Sequence, residues 1–272
     1  IKKNKFTEEI SSGDEGFIVT NQTCFYGESG GQIGDTGLIK SENNEFKVFD
    51  TKKILKVHLH YGKVIKGKFK NKDTVNMLVD FKKRDQIKIY HSSTHLLHSA
   101  LREILGKHVT QKGSLVSSDR LRFDFSHPSS INDNDINKIE NLINKYIQQN
   151  DKINVSLMSY EEAVKKGAMA LFGEKYDDEV RVVTMGKKNN ESFFSMELCG
   201  GTHVKNTGEI VDLKIIKESS VSSGIRRIEA LTGNDLFDYV DKEKKNILKK
   251  QKEKKEKEIK KNLDEKNKKD SL

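Results

Sequence analysis

Two residue pairs, a hundred positions apart, share one spacing. His91-Ser-Ser-Thr-His95 lies in a stretch of helical period, and Cys199-Gly-Gly-Thr-His203 lies at the end of a strand-like run. Residues i and i+4 stack on one helix face, so the imidazoles of His91 and His95 can point at one ion. Gly200 and Gly201 let the backbone bend until Cys199 and His203 face one point. Either pair alone is a weak signal, because such spacings arise by chance. Together they offer one thiolate and three imidazoles, a tetrahedral set suited to a single Zn2+. A zincin protease needs Glu directly after the first helical histidine, and Ser92 stands there. A zinc finger would bring its cysteines close in sequence, unlike Cys24 and Cys199. With four ligands at hand, His98 reads as a packing or substrate-facing residue.

Three further strings carry functional residue types. Tyr26-Gly-Glu-Ser-Gly-Gly-Gln-Ile-Gly-Asp-Thr-Gly37 holds five glycines but lacks the Gly-Lys-Ser/Thr of a P-loop and the opening of a dinucleotide fingerprint. It is either a tight hairpin or a loop whose bare backbone, at Gly30 and Gly31, approaches a substrate or a neighbouring domain. Gln111-Lys-Gly-Ser offers an amide that either orients a water or a carbonyl, or sits in a surface turn. The stretch 219–230 leads small residues into Arg226 and Arg227. That pair either grips a nucleic-acid end or forms a solvated turn. Arg120 and Arg122 read as the solvent face of a strand, and Cys24 as a small buried hydrophobe.

The elements around these residues point to an α+β protein. Short apolar runs at 16–20, 46–49, 54–60 and 75–80, separated by polar or glycine turns, predict strands of a small barrel-like domain. A helix is predicted over 84–105 with Gly106 as its stop, then a strand over 108–125. An amphipathic helix over 133–149 is capped by Asn132 or Asp133. A strand at 153–158, a short helix at 160–166 and strands near 180–185, 193–198, 209–217 and 225–231 follow. This interleaving lacks regular βαβ repetition, which disfavours a doubly wound sheet.

From Asn234 the chain is helix-prone and charged, with no apolar residue between Lys249 and Glu258, so it lacks a coiled-coil seam. The chain has 272 residues and a net charge of +9. The part from 241 onward holds 14 Lys and 8 acidic residues, a net of +6, which leaves +3 for the rest. No run of 18 apolar residues exists, so no membrane helix is expected. Two cysteines and no signal-peptide core fit a reducing cytoplasm. Ile1 in place of Met suggests a piece of a longer protein.

Taken in order, Phe25-Tyr-Gly-Glu-Ser-Gly-Gly-Gln-Ile-Gly-Asp-Thr-Gly37, His91-Ser-Ser-Thr-His-Leu-Leu-His98, Gln111-Lys-Gly-Ser, Arg122-Phe-Asp-Phe-Ser-His127, Cys199-Gly-Gly-Thr-His203 and Gly224-Ile-Arg-Arg-Ile-Glu-Ala230 resemble the editing region of alanyl-tRNA synthetases. AlaX-type trans-editing proteins and the threonyl-tRNA synthetase editing domain share the two zinc pairs. The resemblance implies three parts: a β-barrel-like domain at 1–82, a zinc-containing editing domain at 83–232 and a charged helical extension at 233–272. It implies hydrolysis of the ester of mischarged tRNA(Ala), carrying serine or glycine, by a part of a protein that ligates alanine to tRNA(Ala) with ATP. An alanine pocket rejects glycine and serine poorly, which is why a second site is needed.

The resemblance supports Thr94 and Gln111 as pocket residues, with the Thr94 hydroxyl pairing with the serine side chain. Gly30, Gly31, Arg226 and Arg227 are the expected tRNA contacts, and any oligomerisation would come from sequence beyond 272. Four protein ligands is a closed count. The ion therefore either expands its coordination, loses a ligand to a water, or only orders the pocket. The competing readings are a free-standing AlaX-type hydrolase and a zinc-stabilised tRNA-binding module without catalysis.

Overall fold

The computed structural model describes residues 1–2, 5–170, 176–188 and 192–269, the last eleven as backbone only. The chain forms two compact units, Ile1–Thr232 and Gly233–Leu272.

The first unit opens with β1 (Glu9–Ser11), β2 (Glu15–Ile18), β3 (Gly37–Ser41), β4 (Asn44–Ile54), β5 (Val57–Lys66), β6 (Lys68–Lys70) and β7 (Asn76–Val79). Five of these strands form an antiparallel sheet in the order β2-β5-β4-β3-β7, and β1 pairs with β6 in a separate ribbon. Period-2 alternation sets the buried face: Phe46 and Val48 point inward while Lys47 and Phe49 point outward. Ile39, Val64 and Val79 join them in one core, and Ile10 and Phe69 bring the ribbon onto it.

Among the described residues no barrel closes. The edge strands β2 and β7 are four residues each and pair only with β5 and β3, and the ribbon packs on the core instead of bridging those edges. The expected barrel-like domain is thus an open sheet with a ribbon. Cys24 is exposed, not buried, because the adjacent Phe25 takes the inward position.

Next come α1 (Phe81–Leu105), β8 (Gln111–Val116), β9 (Leu121–Ser126), α2 (Asp133–Gln148), β10 (Asn154–Ser159), α3 (Tyr160–Lys165), β11 (Glu179–Lys187), β12 (Phe193–Leu198), β13 (Leu213–Ser222) and β14 (Ile225–Thr232). They build sheets in the orders β13-β14-β9-β8 and β10-β11-β12. The strand expected over 108–125 is two strands, because Ser117 closes a turn between them: its hydroxyl donates to the Asp119 carboxylate and its N–H to Arg120 O. Asp80 caps α1 by accepting from Lys83 N, and Gly106, at φ 119°, ends it.

Every residue of α1 from Tyr90 to Leu101 is buried, so this helix is packed on all sides. The largest core holds Tyr90, Leu97 and Leu101 of α1 against Phe123 and Phe125 of β9, and Ile139 and Ile143 of α2. Two hydroxyls inside α1 are satisfied locally: Ser93 donates to Ile89 O and Thr94 to Tyr90 O, both at 2.8 Å.

The second unit is one helix, α4 (Gly233–Lys269), whose described side chains from Asp241 to Glu258 are all exposed. No helix of the described residues is long and apolar enough to cross a membrane.

Candidate metal centre

The middle of α1 carries His91 and His95 on one face, and the chain leaving β12 turns immediately through Cys199 to His203. The four residues meet, with one ligand atom from each within 4.8 Å of the others. The Cys199 Sγ lies 3.4 Å from His91 Nε2 and 3.3 Å from His203 Nε2. Ligands of a tetrahedral zinc stand about 3.4–3.6 Å apart, given bonds of about 2.0–2.1 Å to nitrogen and 2.3 Å to sulfur. The two separations from Cys199 are therefore already close to coordination spacing. The Gly200-Gly201 turn makes this approach: a Cβ on Gly201 would lie 2.0 Å from His91 Cε1.

Charge balance inside the cluster favours a cation. Burial alone would raise the Cys199 thiol, but the imidazoles of His91, His95 and His203 outweigh it and hold it well below its ordinary value. Burial drives His203 down to about 3, aided by the neighbouring His91 imidazole, so it is neutral with a free lone pair. For His95, burial works against the charged form, yet Glu197 and Cys199 together hold its value up at about 9. A divalent ion would replace that proton as the partner of the thiolate. The donor set, one thiolate and three imidazoles, is that of a borderline-soft cation such as zinc.

Each imidazole is braced from behind. His91 Nδ1 donates to Gln32 Oε1 at 2.7 Å, and the same oxygen accepts from Thr202 N at 2.9 Å. His203 Nδ1 lies 3.1 Å from Ser92 Oγ, which also accepts from Val204 N. His95 Nδ1 lies 3.3 Å from Glu197, whose other oxygen is 3.1 Å from His98 Nδ1. Burial would raise the Glu197 carboxyl, but His95 and His98 outweigh this and keep it below its ordinary value. Gly201 N–H donates to Cys199 Sγ, and Arg181 grips the turn by donating to the carbonyls of Cys199 and Gly201 at 2.6 and 2.9 Å. Such outer partners fix ring orientation and tautomer.

Gln32 makes a testable case. Gln32→Ala would strand His91 Nδ1 and Thr202 N without their acceptor. Metal affinity is expected to fall roughly 10- to 100-fold in a competition titration with a chelator. An unchanged affinity would remove Gln32 from the centre.

Residues 1–83 match the family model of class II (A) tRNA synthetases, and residues 180–229 match that of the threonyl and alanyl tRNA synthetase second additional domain. Over 238 residues the chain is 53% identical to an alanine--tRNA ligase of Rhizorhabdus wittichii, covering 86% of this chain and 27% of that protein. It is 52% identical over 249 residues to the alanine--tRNA ligase of Ruthia magnifica subsp. Calyptogena magnifica, covering 91% and 28%. It is 50% identical over 251 residues to that of Rickettsia bellii, covering 92% and 28%. The chain belongs to the alanyl-tRNA synthetase family. It spans just over a quarter of the length of these curated relatives.

In this family member three of the candidate ligands, His91, His95 and Cys199, line a cavity of about 590 Å³ together with Thr94, Gln111, His98 and Arg181, and the fourth, His203, lies within 4.8 Å of them. Thr94 spends its proton on Tyr90 O, so its oxygen offers the cavity an acceptor and not a donor. Gln111 is half-buried at the start of β8, and its amide donates to Ser114 Oγ at 3.3 Å. His98 both lines the cavity and packs against Phe123, its ring centroid 5.2 Å from the phenyl.

The glycine-rich stretch is a loop that reaches from the first sheet to β8: Ile33 N donates to Val116 O and Val116 N to Gly31 O. Gly31, at φ 87°, sits so near Ser114 that a Cβ would lie 2.0 Å from its Oγ. Gly30 lines the cavity and Gly31 serves this backbone approach. Arg226 and Arg227, the expected tRNA contacts, lie on β14. Each forms a two-pronged pair with a carboxylate of a neighbouring strand, Glu218 at 2.5 and 2.6 Å and Asp124 at 2.6 and 2.7 Å. Their forks are engaged within the sheet, since Arg226 and Glu218 lie across β14 and β13, and Arg227 is opposite Asp124 on β9.

Sequence reasoning missed Gln32, Glu197 and Arg181. Gln32 was one polar residue among turn glycines, with nothing local to mark its partner. Glu197 and Arg181 had a signal: a charge inside an apolar strand run, at 193–198 and 179–187.

Proposed function

We propose that the cavity binds one Zn2+ through His91, His95, Cys199 and His203 and hydrolyses the ester that joins a wrong amino acid, serine or glycine, to the 3′ end of tRNA(Ala). The observation that carries this reading is the convergence of the four candidate ligands, three of them lining a cavity that also presents Thr94 and Gln111. The family match supports tRNA as the partner and protein synthesis in the cytoplasm as the setting.

A zinc ion bound there supplies Lewis-acid polarisation to the ester or to a water beside it. The chain's own residues do the rest. One Glu197 oxygen accepts from His98 Nδ1, which fixes that tautomer, and the other carries its negative charge to within 3.3 Å of His95 Nδ1. Gln32 fixes the tautomer of His91 by accepting from its Nδ1. Thr94 accepts a hydrogen bond from the serine hydroxyl through the lone pair its helix leaves free. Correctly attached alanine has no hydroxyl to donate, so it forgoes that bond. Gln111 faces the same space and can donate to the ester carbonyl.

The experiment is deacylation by the 272-residue chain. Ser-tRNA(Ala) and Gly-tRNA(Ala) should lose their amino acid faster than Ala-tRNA(Ala), and chelation should stop the reaction. RNA binding without turnover would replace hydrolysis with a non-catalytic binding role.

Thr94→Val tests selectivity. It keeps the shape and removes the acceptor, while Tyr90 O retains its helical bond. One lost hydrogen bond of about 0.5–1.5 kcal/mol should shrink the Ser-to-Ala rate ratio roughly 2- to 12-fold with zinc content unchanged. A lower melting temperature with an unchanged ratio would reduce Thr94 to a helix-packing residue.

A further inference from the structure

The hairpin formed by β4 and β5 ends beside this cavity, and its tip is built unlike a covered turn. Lys53 and His58 are a cross-strand pair that lines the cavity, followed by the pair Ile54 and Val57 and the two-residue turn Leu55-Lys56. Ile54, Leu55 and Val57 are all exposed, Leu55 by 89%. Leu55 sits at φ 54°, a left-handed conformation that a two-residue hairpin normally gives to glycine or asparagine. A bulky apolar side chain is thus held in solvent at a position where glycine would be more comfortable.

Charge accompanies it. Among the described residues, Lys53 and Lys56 make no ion pair with a carboxylate, whereas Lys52 beside them pairs with Glu28 and Asp50 and ties the hairpin to the glycine-rich loop. Gly27 of that loop stands against the hairpin: a Cβ there would lie 2.8 Å from both His58 Cδ2 and Lys53 Cβ. The hairpin is therefore anchored at its base and open at its tip.

We infer that this tip is the surface that receives the single-stranded 3′ end of an RNA and leads it into the cavity. Lys53 and Lys56 meet backbone phosphates, and Leu55 with its neighbours packs against unstacked bases. A polyanion with apolar ring faces fits alternating free cations and exposed aliphatic side chains better than a folded acidic protein surface does. The inference rests on the reading of the cavity as one that takes the aminoacylated end of tRNA.

The test uses the whole 272-residue chain and uncharged RNA, so it does not depend on hydrolysis. The probes are an RNA hairpin with a single-stranded 3′ tail and the same hairpin with a blunt end. Lys53→Ala/Lys56→Ala should weaken binding of the tailed RNA roughly 10-fold and reduce its salt slope by about 1.4, the value for two phosphate contacts on a single strand. The control Lys70→Ala/Lys72→Ala removes equal charge away from the cavity and should change neither. Leu55→Gly should weaken tailed-RNA binding roughly 5-fold while the melting temperature holds or rises, which separates contact from stability. The blunt RNA should respond to none of these.

Unchanged tailed-RNA affinity in both tip variants overturns the inference even if the chain deacylates tRNA. Self-association that Leu55→Asp abolishes, with RNA affinity intact, also overturns it and makes the tip a protein contact. Absence of deacylation with the tip effects present would instead sink the hydrolytic reading and leave the RNA surface standing.

Discussion

Cys199→Ala is expected to lose metal and deacylation together. The thiolate is the one anionic ligand among the four, and the three imidazoles around it hold it below its ordinary value. Removing it leaves a cation with neutral ligands and a turn that has lost its Gly201 N–H acceptor. Loss of an outer partner typically costs 10- to 100-fold in metal affinity or activity, so loss of a ligand should cost at least roughly 100-fold in each. Metal content after dialysis against a chelator and the rate on Ser-tRNA(Ala) measure both. Cys24→Ser, a change at the exposed second thiol, should keep its metal. If Cys199→Ala retains one ion per chain and a rate within twofold, the assignment of the centre is wrong.

The two glycines between Cys199 and His203 should respond unequally to alanine. A Cβ on Gly201 would lie 2.0 Å from His91 Cε1, 2.4 Å from His91 Nδ1 and 2.8 Å from Gln32 Oε1. His91 is buried in a packed helix, so relief must come from displacing either the imidazole or the turn. Overpacking of this kind costs about 1–3 kcal/mol, or roughly 2–12 °C in melting temperature for a chain of this size. Metal affinity should drop with it, because the ligand itself is moved. A Cβ on Gly200 would meet nothing within 4 Å. Gly200→Ala should stay within about 0.5 kcal/mol of the parent and keep its metal. Equal effects from the two substitutions would contradict the turn geometry.

The candidate ligand set was legible because its signal is local. The i, i+4 spacing of His91 and His95 needs only a helix, and α1 carries both on one face. The amphipathic helix near 133–149 was legible for the same reason, and its Asn132 cap accepts from Asp135 N. Turn chemistry was read less well. Ser117 and Asp119 close a hairpin inside what looked like one strand, since a turn without glycine or proline leaves little mark in the sequence. The open sheet at 15–79 was also beyond local reading, because closure depends on which edges pair and not on strand pattern.

The sequence by itself determined the residue types that can do chemistry, their pairing in two motifs and the helix that presents the first of them. Only the tertiary structure decided which polar groups brace them. Gln32 reaches His91 across 59 positions, and Glu197 reaches His98 across 99. It also decided that Arg226 and Arg227 face Glu218 and Asp124, through the registers of β14 with β13 and β9. The physical reason is range. Helical spacing and backbone bending act over a few residues and are written in order along the chain. A buried carboxylate, amide or guanidinium finds its partner through packing of distant elements, and only the assembled core sets that distance.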